Sequence, residues 1–230
     1  PAGLWPAEGA LSMPFLKQVA ESGFLWTASS QGVLKHSAGN LAATSQPWLA
    51  PEGTPGDLAL FFRNEQLSDL IGFEYAKWHG RDAAQHFMTE LKALHIQDAH
   101  NLIPVFLDGE NAWEYYPYNG WYFFNDLYEA LEKNSAIRTV TLSEAAVSQR
   151  GRRMRLPQLV AGSWVYGTLS TWIGNPDKNR AWEMLCDVKQ CADRALDSGR
   201  MTPDEQTEVL RRLAICESSD WFWWLGDYNS

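Results

Sequence analysis

Residues 105–113 read Val105-Phe106-Leu107-Asp108-Gly109-Glu110-Asn111-Ala112-Trp113, and the predicted fold is organised around them. The apolar run at 102–107, interrupted by Pro104, predicts a strand that carries Asp108 at its carboxyl end. Gly109 allows the backbone to turn sharply at that point. Because acidic, amide and aromatic side chains follow at once, we predict a polar site at this strand end, with Asp108 as a candidate catalytic residue.

Apolar runs and helical periods alternate on both sides of this stretch. Further strands are predicted at 24–29, 57–62 and 138–142, and helices at 13–22, 67–78, 82–94 and 122–133. Strands that alternate with helices predict the α/β class with a mostly parallel sheet, open or closed. Residues 30–56 are rich in Gly, Ser, Ala and Pro and predict a long surface loop.

The pattern changes after about residue 150, so we divide the chain into an α/β portion, 1–150, and a helical segment, 151–230. Asn175-Pro176-Asp177 predicts the start of a long helix, because Asn caps helices and Pro fits the first helical position. Thr202-Pro203-Asp204-Glu205 has the capping-box pattern and predicts the start of another.

Composition argues against several classes of partner. The chain has 19 basic and 28 acidic side chains and a net charge of −9, which argues against a nucleic-acid partner. No apolar run approaches the roughly 18 residues of a membrane span. The 3 cysteines lie in helical patterns and predict buried or partly buried free thiols in a reducing compartment. The cytoplasm is the expected location. The 5 histidines show no metal-binding spacing, so we expect no metal, and we expect no cofactor.

Aromatic residues are abundant, with 12 Trp, 8 Tyr and 10 Phe. Several lie beside turn residues, where core packing alone explains them less well. An indole face suits the apolar face of a pyranose ring, so these residues are candidates for sugar stacking, with core packing as the competing interpretation. The candidates are Trp5, Trp113, Trp164, Trp172, Trp221 and Trp223.

Glu8 and Asp108 each lie in a loop beside Gly and Trp, at the edge of a predicted α/β element. Strand carboxyl ends converge on one face of a parallel sheet or barrel, so the two carboxylates could meet across a cleft. Glycoside hydrolysis needs such a pair, one to protonate the leaving oxygen and one to attack or to activate water. Spacing alone leaves open that both are solvated loop acids.

Three motifs resemble, in order, the last three of the five sequence regions of glycoside hydrolase family 57, which comprises α-amylases, amylopullulanases, 4-α-glucanotransferases and relatives. They are Trp5-Pro6-Ala7-Glu8-Gly9, Leu107-Asp108-Gly109-Glu110-Asn111 and Cys216-Glu217-Ser218-Ser219-Asp220-Trp221-Phe222-Trp223. Supporting stretches at 62–73 and 162–182 are similar to the amylopullulanase-type branch.

The resemblance implies a retaining enzyme that acts on α-glucans such as starch or maltooligosaccharides. It implies that Glu8 is the nucleophile and Asp108 the general acid/base. The implied fold is a (β/α)₇ barrel followed by a helical segment. Together with the aromatic pattern, the resemblance predicts substrate contacts at Trp5, Arg63, Glu110, Trp113, Trp164, Trp172, Asp220, Trp221 and Trp223.

The first two sequence regions of the family are absent from this chain. We therefore expect about the last four strands of the barrel, and we expect the missing N-terminal half, in the same or another chain, as a partner. The isolated chain is then expected to be a fragment whose activity depends on that half.

Two other functions stay open at this point. One is a non-catalytic carbohydrate-binding protein that keeps an aromatic cleft. The other is a different carbohydrate enzyme on a similar barrel, such as an α-mannosidase or a deacetylase, which usually holds a metal with His and Asp. The sequence does not separate hydrolysis from transglycosylation, or α-1,4 from α-1,6 linkages.

Overall fold

The structure is a computed structural model that describes residues 2–40, 43–97, 101–109 and 113–226. The chain divides into two compact units, Pro1–Gly167 and Thr168–Ser230. The first unit contains a five-stranded sheet with helices, which confirms the predicted α/β class. In the part of the chain that the structure describes, no helix is long and apolar enough to cross a membrane.

The sheet contains β1 (Gly3–Leu4), β2 (Trp26–Ser30), β3 (Trp48–Leu49), β4 (Ala59–Arg63) and β5 (Met154–Arg155). Its spatial order is β1-β2-β4-β3-β5. Strands β1, β2 and β4 are parallel, with Ser30 opposite Arg63, whereas β3 is antiparallel to β4 and parallel to β5. Since β1, β2 and β4 run in one direction, their carboxyl ends share one edge of the sheet.

Strand β4 is buried along its whole length, as its continuous apolar run predicts. Its alternate side chains enter different cores because successive residues of a strand point to opposite faces. Leu60 and Phe62 pack in a core with the two earlier helices at Met13–Glu21 and Gln31–Ala38. Phe61 packs with Ala28 and a later helix on the other face. A third core, away from the sheet, is helical.

Helices of the first unit are α1 (Met13–Glu21), α2 (Gln31–Ala38), α3 (Glu65–Asp69), α4 (Gly80–Gln97), α5 (Trp121–Glu132) and α6 (Leu142–Ser148). The second unit contains α7 (Pro176–Asp197), α8 (Pro203–Cys216) and α9 (Asp220–Trp224). A π-helical turn covers Leu70–Glu74, and 3-10 turns cover Ala7–Gly9, Tyr75–Lys77, Trp113–Tyr115, Pro117–Gly120 and Arg150–Arg152.

The predicted helix starts of the second unit are confirmed. The Asn175 side chain accepts a hydrogen bond from the backbone N–H of Asp177 at 2.9 Å. Thr202 and Glu205 form the reciprocal capping box, in which each side chain accepts a hydrogen bond from the backbone N–H of the other. The free cysteines Cys186, Cys191 and Cys216 are exposed, so the prediction that they are buried or partly buried is wrong.

The predicted strand at 102–107 is wrong. The segment lies beside the end of β4, where the Asn64 N–H donates to the Pro104 carbonyl at 2.8 Å. Phe106 donates its N–H to the side chain of Ser68 at 3.3 Å. Because Pro104 has no N–H, it cannot take its place in a strand ladder, and side chains and single backbone groups hold the segment instead.

Two other predictions also differ from the structure. The stretch at 138–142 is not a strand, and α6 begins at its end with a capping box between Thr141 and Glu144. The predicted surface loop at 30–56 contains α2, whose N-terminus is capped by the Ser30 side chain accepting from Val33 N–H at 3.2 Å. A Ser cap is a local signal that the Gly- and Ser-rich composition of this stretch obscured.

Tyr75 lies in the helical core, where its hydroxyl is 2.8 Å from His86 Nδ1. Burial, with a smaller contribution from the Glu90 carboxylate, raises the pKa of Tyr75 from 10.0 to about 12. Because the folded-state pKa lies above the unfolded value, Tyr75 with its proton contributes to the free energy of unfolding. This contribution is fully present below about pH 10 and is lost as the pH rises from 10 to 12.

We therefore expect a late component in an alkaline titration followed by tyrosinate absorbance, and a fall in stability over the same range. Tyr75→Phe should remove part of the late component; burial also raises the pKa of Tyr116, which accounts for the rest. Tyr128→Phe, at an exposed position, is the control and should retain the Tyr75 component. A late component unchanged in Tyr75→Phe would contradict this assignment.

Candidate active site

Glu8 follows β1 in the 3-10 turn Ala7–Gly9 and has a left-handed backbone, with φ 57° and ψ 21°. A non-glycine residue in this region costs about 1–3 kcal/mol and persists only where its surroundings hold it. Here the backbone N–H of Trp164 donates to the Glu8 carbonyl at 3.0 Å, and the Ser29 hydroxyl donates to the Gly9 carbonyl at 2.6 Å. The fold thus holds Glu8 in a strained backbone conformation at the edge of the sheet.

The Glu8 carboxylate is half-buried and has a specific partner. The indole N–H of Trp164 donates to Glu8 Oε2 at 2.7 Å. This distance is at the short end of the range for N–H···O hydrogen bonds. With both its backbone and its side chain bonded to Trp164, Glu8 has a defined side-chain direction.

Aromatic rings join Glu8 to the segment that carries Asp108. Trp5 meets the Trp164 ring edge-on, with centroids 5.3 Å apart. Trp5 also stacks on Phe106, with centroids 5.0 Å apart and an interplanar angle of 28°. Asp108 follows Phe106 closely in the chain and is half-buried. The structure therefore brings the Glu8 turn and the Asp108 segment to one aromatic cluster.

Arg63, at the carboxyl end of β4, contacts the same cluster and is only 9% exposed. Its Nε donates to the Phe106 carbonyl at 3.0 Å, and its terminal nitrogen pairs with Asp69 at 2.7 Å. Its guanidinium carbon lies 5.7 Å from the centroid of the Trp164 ring, a cation–π geometry. Arg63 thus contacts both the Phe106 segment and Trp164.

The segment bearing Trp164 is held by Gly162, which exchanges backbone hydrogen bonds with Leu11 at 2.8 and 3.1 Å. A Cβ added at Gly162 would lie 2.2 Å from the Gly167 carbonyl oxygen and 2.9 Å from Val33 Cγ2. Only glycine fits between these groups without a shift of the backbone.

We expect Gly162→Ala to lower the free energy of unfolding by about 1–3 kcal/mol, the usual cost of overpacking. It should also displace Trp164 from Glu8. Gly151→Ala is the matched control, since a Cβ there meets nothing within 4 Å. Denaturant unfolding of both variants measures the difference, and equal midpoints would contradict the predicted clash.

The other predicted substrate contacts lie in different surroundings. Trp113 packs against Phe124 and Tyr116, with ring centroids 4.6 and 5.8 Å apart, in the helical core. Glu110 lies outside the described residues. In the second unit, Trp172 is buried with its ring 5.9 Å from that of Trp223. Asp220 begins α9, and exposed Trp221 donates its indole N–H to the Ile215 carbonyl at 2.9 Å.

Sequence reasoning missed Phe106 and Asp69 as parts of this site. Phe106 could have been predicted from the sequence. In an extended segment, residues two apart share a face, so Phe106 lies on the same face as Asp108. Asp69 carries no such signal. Its pairing with Arg63 depends on the short helix α3, which begins directly after β4 and has Asp69 as its last residue.

A cavity of about 290 Å³ lies near the carboxyl ends of β2 and β4. Its lining contains amides and hydroxyls and no charged side chain: Gln31, Ala43, Thr44, Ser45, Asn64, Gln66, Leu94, Asn101, Leu102 and Ile103. Amides and hydroxyls donate and accept hydrogen bonds without charge, which suits a neutral polyhydroxylated ligand. Among the described residues, no group of His, Cys, Asp or Glu could hold a metal ion.

The model of glycosyl hydrolase family 57 matches residues 1–159, and the chain belongs to this family, as its motifs predicted. A search of curated proteins gives no match.

Among solved structures, the chain is similar to the crystal structure of 4-alpha-glucanotransferase from Thermococcus litoralis. The TM-score is 0.59 at 19% sequence identity, and the match covers 84% of this chain and 29% of that one. At this identity the likeness concerns the fold alone. The chain spans less than a third of that enzyme's length.

Proposed function

We propose that the chain carries the two catalytic carboxylates of a retaining enzyme that acts on α-glucans, either by hydrolysis or by transglycosylation. The observation that carries this proposal is the convergence of the Glu8 turn and the Asp108 segment on Trp5, Trp164 and Phe106. Family membership supports the class of reaction. We propose α-glucans as the substrate class because the chain belongs to glycosyl hydrolase family 57 and the solved structure of similar fold is that of a 4-alpha-glucanotransferase.

In the proposed mechanism, the Glu8 carboxylate attacks the anomeric carbon while Asp108 gives its proton to the glycosidic oxygen. The glycosidic C–O bond breaks and a glycosyl ester forms on Glu8. Asp108, now a carboxylate, removes a proton from water or from a sugar hydroxyl. That oxygen attacks the same carbon, the ester breaks, and the original anomeric configuration returns.

The five-stranded sheet is proposed to be part of a (β/α)₇ barrel, corresponding to about its last four strands. An N-terminal half, in the same or another chain, would complete the barrel. Within this proposal, residues 1–150 hold the catalytic residues and 151–230 form the helical segment, whose Trp172, Asp220, Trp221 and Trp223 also bind α-glucan. Trp113, Glu110 and the indole of Trp5 are proposed as further substrate contacts.

A neutral substrate agrees with the charges of the protein. The net charge is −9, which disfavours an acidic polysaccharide. The uncharged lining of the cavity beside Asn64 and Gln31 suits sugar hydroxyls.

The test is product analysis with the full-length protein on maltooligosaccharides, amylose and pullulan. Proton NMR of the first product should show the α-anomer before mutarotation, as retention requires. Longer oligosaccharides formed together with shorter ones would indicate transglycosylation, and shorter ones alone hydrolysis. Cleavage of pullulan to maltotriose would indicate α-1,6 specificity. A β-anomer as the first product, or no change in any α-glucan, would refute the proposal.

A further inference from the structure

Arg63 contacts both parts of the candidate active site. Through Nε it holds the Phe106 carbonyl at 3.0 Å, next to the residues that lead to Asp108. Through its guanidinium face it lies 5.7 Å from the centroid of the Trp164 ring, whose N–H is bonded to Glu8. The Arg63 side chain thus contacts both Trp164, which binds Glu8, and the Phe106 segment, which leads to Asp108.

The base and the tip of Arg63 are both fixed. Its backbone belongs to β4, where it pairs with Ser30 at the carboxyl end of the two parallel strands. Its terminal nitrogen is paired with Asp69, which lies on α3. A guanidinium is planar and rigid, so fixing one edge against Asp69 also sets the direction of Nε and of the face toward Trp164.

We infer that Arg63 is a positioning residue that sets the separation of Glu8 and Asp108, acting through Trp164 on one side and the Phe106 carbonyl on the other. This rests on the proposed function of the two carboxylates. Retention needs the carboxyl groups about 5–5.5 Å apart, so a support that spans both segments controls the quantity on which the mechanism depends. A displacement of about 1 Å in such a site can cost 10²-fold in rate.

Substrate binding, the role predicted for Arg63 from the sequence, fits its surroundings less well. The side chain is 9% exposed and contacts Phe106, Asp69 and Trp164. A residue that contacts sugar directly would change KM when it is replaced, whereas a positioning residue changes kcat.

The kinetic test compares Arg63→Met and Arg63→Lys with Arg155→Met in the full-length protein. Arg155 is the matched control because it also lies on the sheet and donates to a backbone carbonyl, that of Ala50, at 2.9 Å. We expect kcat on maltooligosaccharides to fall about 10–100-fold in Arg63→Met with KM nearly unchanged, and less in Arg63→Lys. A raised KM with unchanged kcat, or a loss equal to that of Arg155→Met, would overturn the inference.

A milder change, Asp69→Asn, tests the same inference if the Arg63 variants do not fold. It leaves Arg63 in place and removes the charge that orients it. Asp69 is half-exposed, so the substitution costs little stability. It should lower kcat in the same direction as Arg63→Met. An unchanged kcat in a folded Asp69→Asn protein would count against the inference.

A spectroscopic test separates this inference from the proposed function. In protein labelled with ¹⁵N-tryptophan, the indole signal of Trp164 is assigned by its absence in Trp164→Phe. Arg63→Met should shift that signal, and Arg155→Met should leave it in place. A shift in a protein without α-glucan activity would refute the proposed function and support the link between Arg63 and Trp164; an unshifted signal would refute the link whatever the activity.

Discussion

Replacing Asp108 with Asn is expected to lower turnover of unactivated α-glucans by roughly 10²- to 10⁴-fold, the usual contribution of general acid–base catalysis. Asn has nearly the same shape but cannot give up a proton to the glycosidic oxygen. The half-buried position at the end of the Phe106 segment should tolerate it, so the fold is expected to persist.

The substrate distinguishes this effect from a general loss of structure. α-Glucosyl fluoride has a leaving group that departs without a proton, so Asp108→Asn should form the glycosyl ester from it at a rate close to that of the unaltered protein. Asp57→Asn is the control, since Asp57 is an exposed acid paired with Arg150. Near-normal turnover of maltooligosaccharides by Asp108→Asn would remove it from the mechanism.

Replacing Glu8 with Gln is expected to have the larger effect, a loss on the order of 10⁵-fold or more, as seen when a covalent nucleophile is removed. The amide cannot attack the anomeric carbon. Its carbonyl oxygen can still accept the Trp164 indole N–H, so the local structure is expected to stay.

The direct measurement is mass spectrometry after treatment with 5-fluoro-α-glucosyl fluoride, which traps glycosyl esters. The unaltered protein should carry the added sugar on the peptide that contains Glu8, and Glu8→Gln should carry none. Glu52→Gln, at an exposed position, should label normally. A sugar found on another carboxylate would assign the nucleophile elsewhere.

Features that depend on neighbouring residues were predictable from the sequence. The helix starts at Asn175 and at Thr202-Pro203-Asp204-Glu205 are confirmed because a cap and its partner lie within one helical turn. The buried strand β4 was predictable from its own apolar run. In each case the residues that decide the structure are adjacent in the chain.

The segment at 102–107 shows where this reasoning fails. Its apolar residues suggest a strand, but Pro104 breaks the ladder, and the backbone is held by Asn64 and Ser68 from an earlier part of the chain. No pattern within residues 102–107 predicts that Asn64 and Ser68 bind this segment. The family was predictable because its motifs are short and local, and the family match confirms it.

The parts of the candidate site were visible in the sequence, but their contacts were not. Trp164 was predicted as a sugar-stacking residue, and its bond to Glu8 spans 156 positions. Arg63 was predicted to contact substrate from the resemblance to the family. Its hydrogen bonds to Asp69 of α3 and to the Phe106 carbonyl depend on the tertiary structure.

The left-handed backbone of Glu8 has a consequence for the engineering of this protein. At φ 57°, backbone geometry alone favours Asn or Gly over any residue with a longer side chain, by about 1–2 kcal/mol. A search for heat-resistant variants that ranks substitutions by backbone fit would therefore select against the proposed nucleophile. At this position thermal stability and catalytic activity are opposed. Selection for thermal stability without an activity assay would yield a more stable but inactive protein.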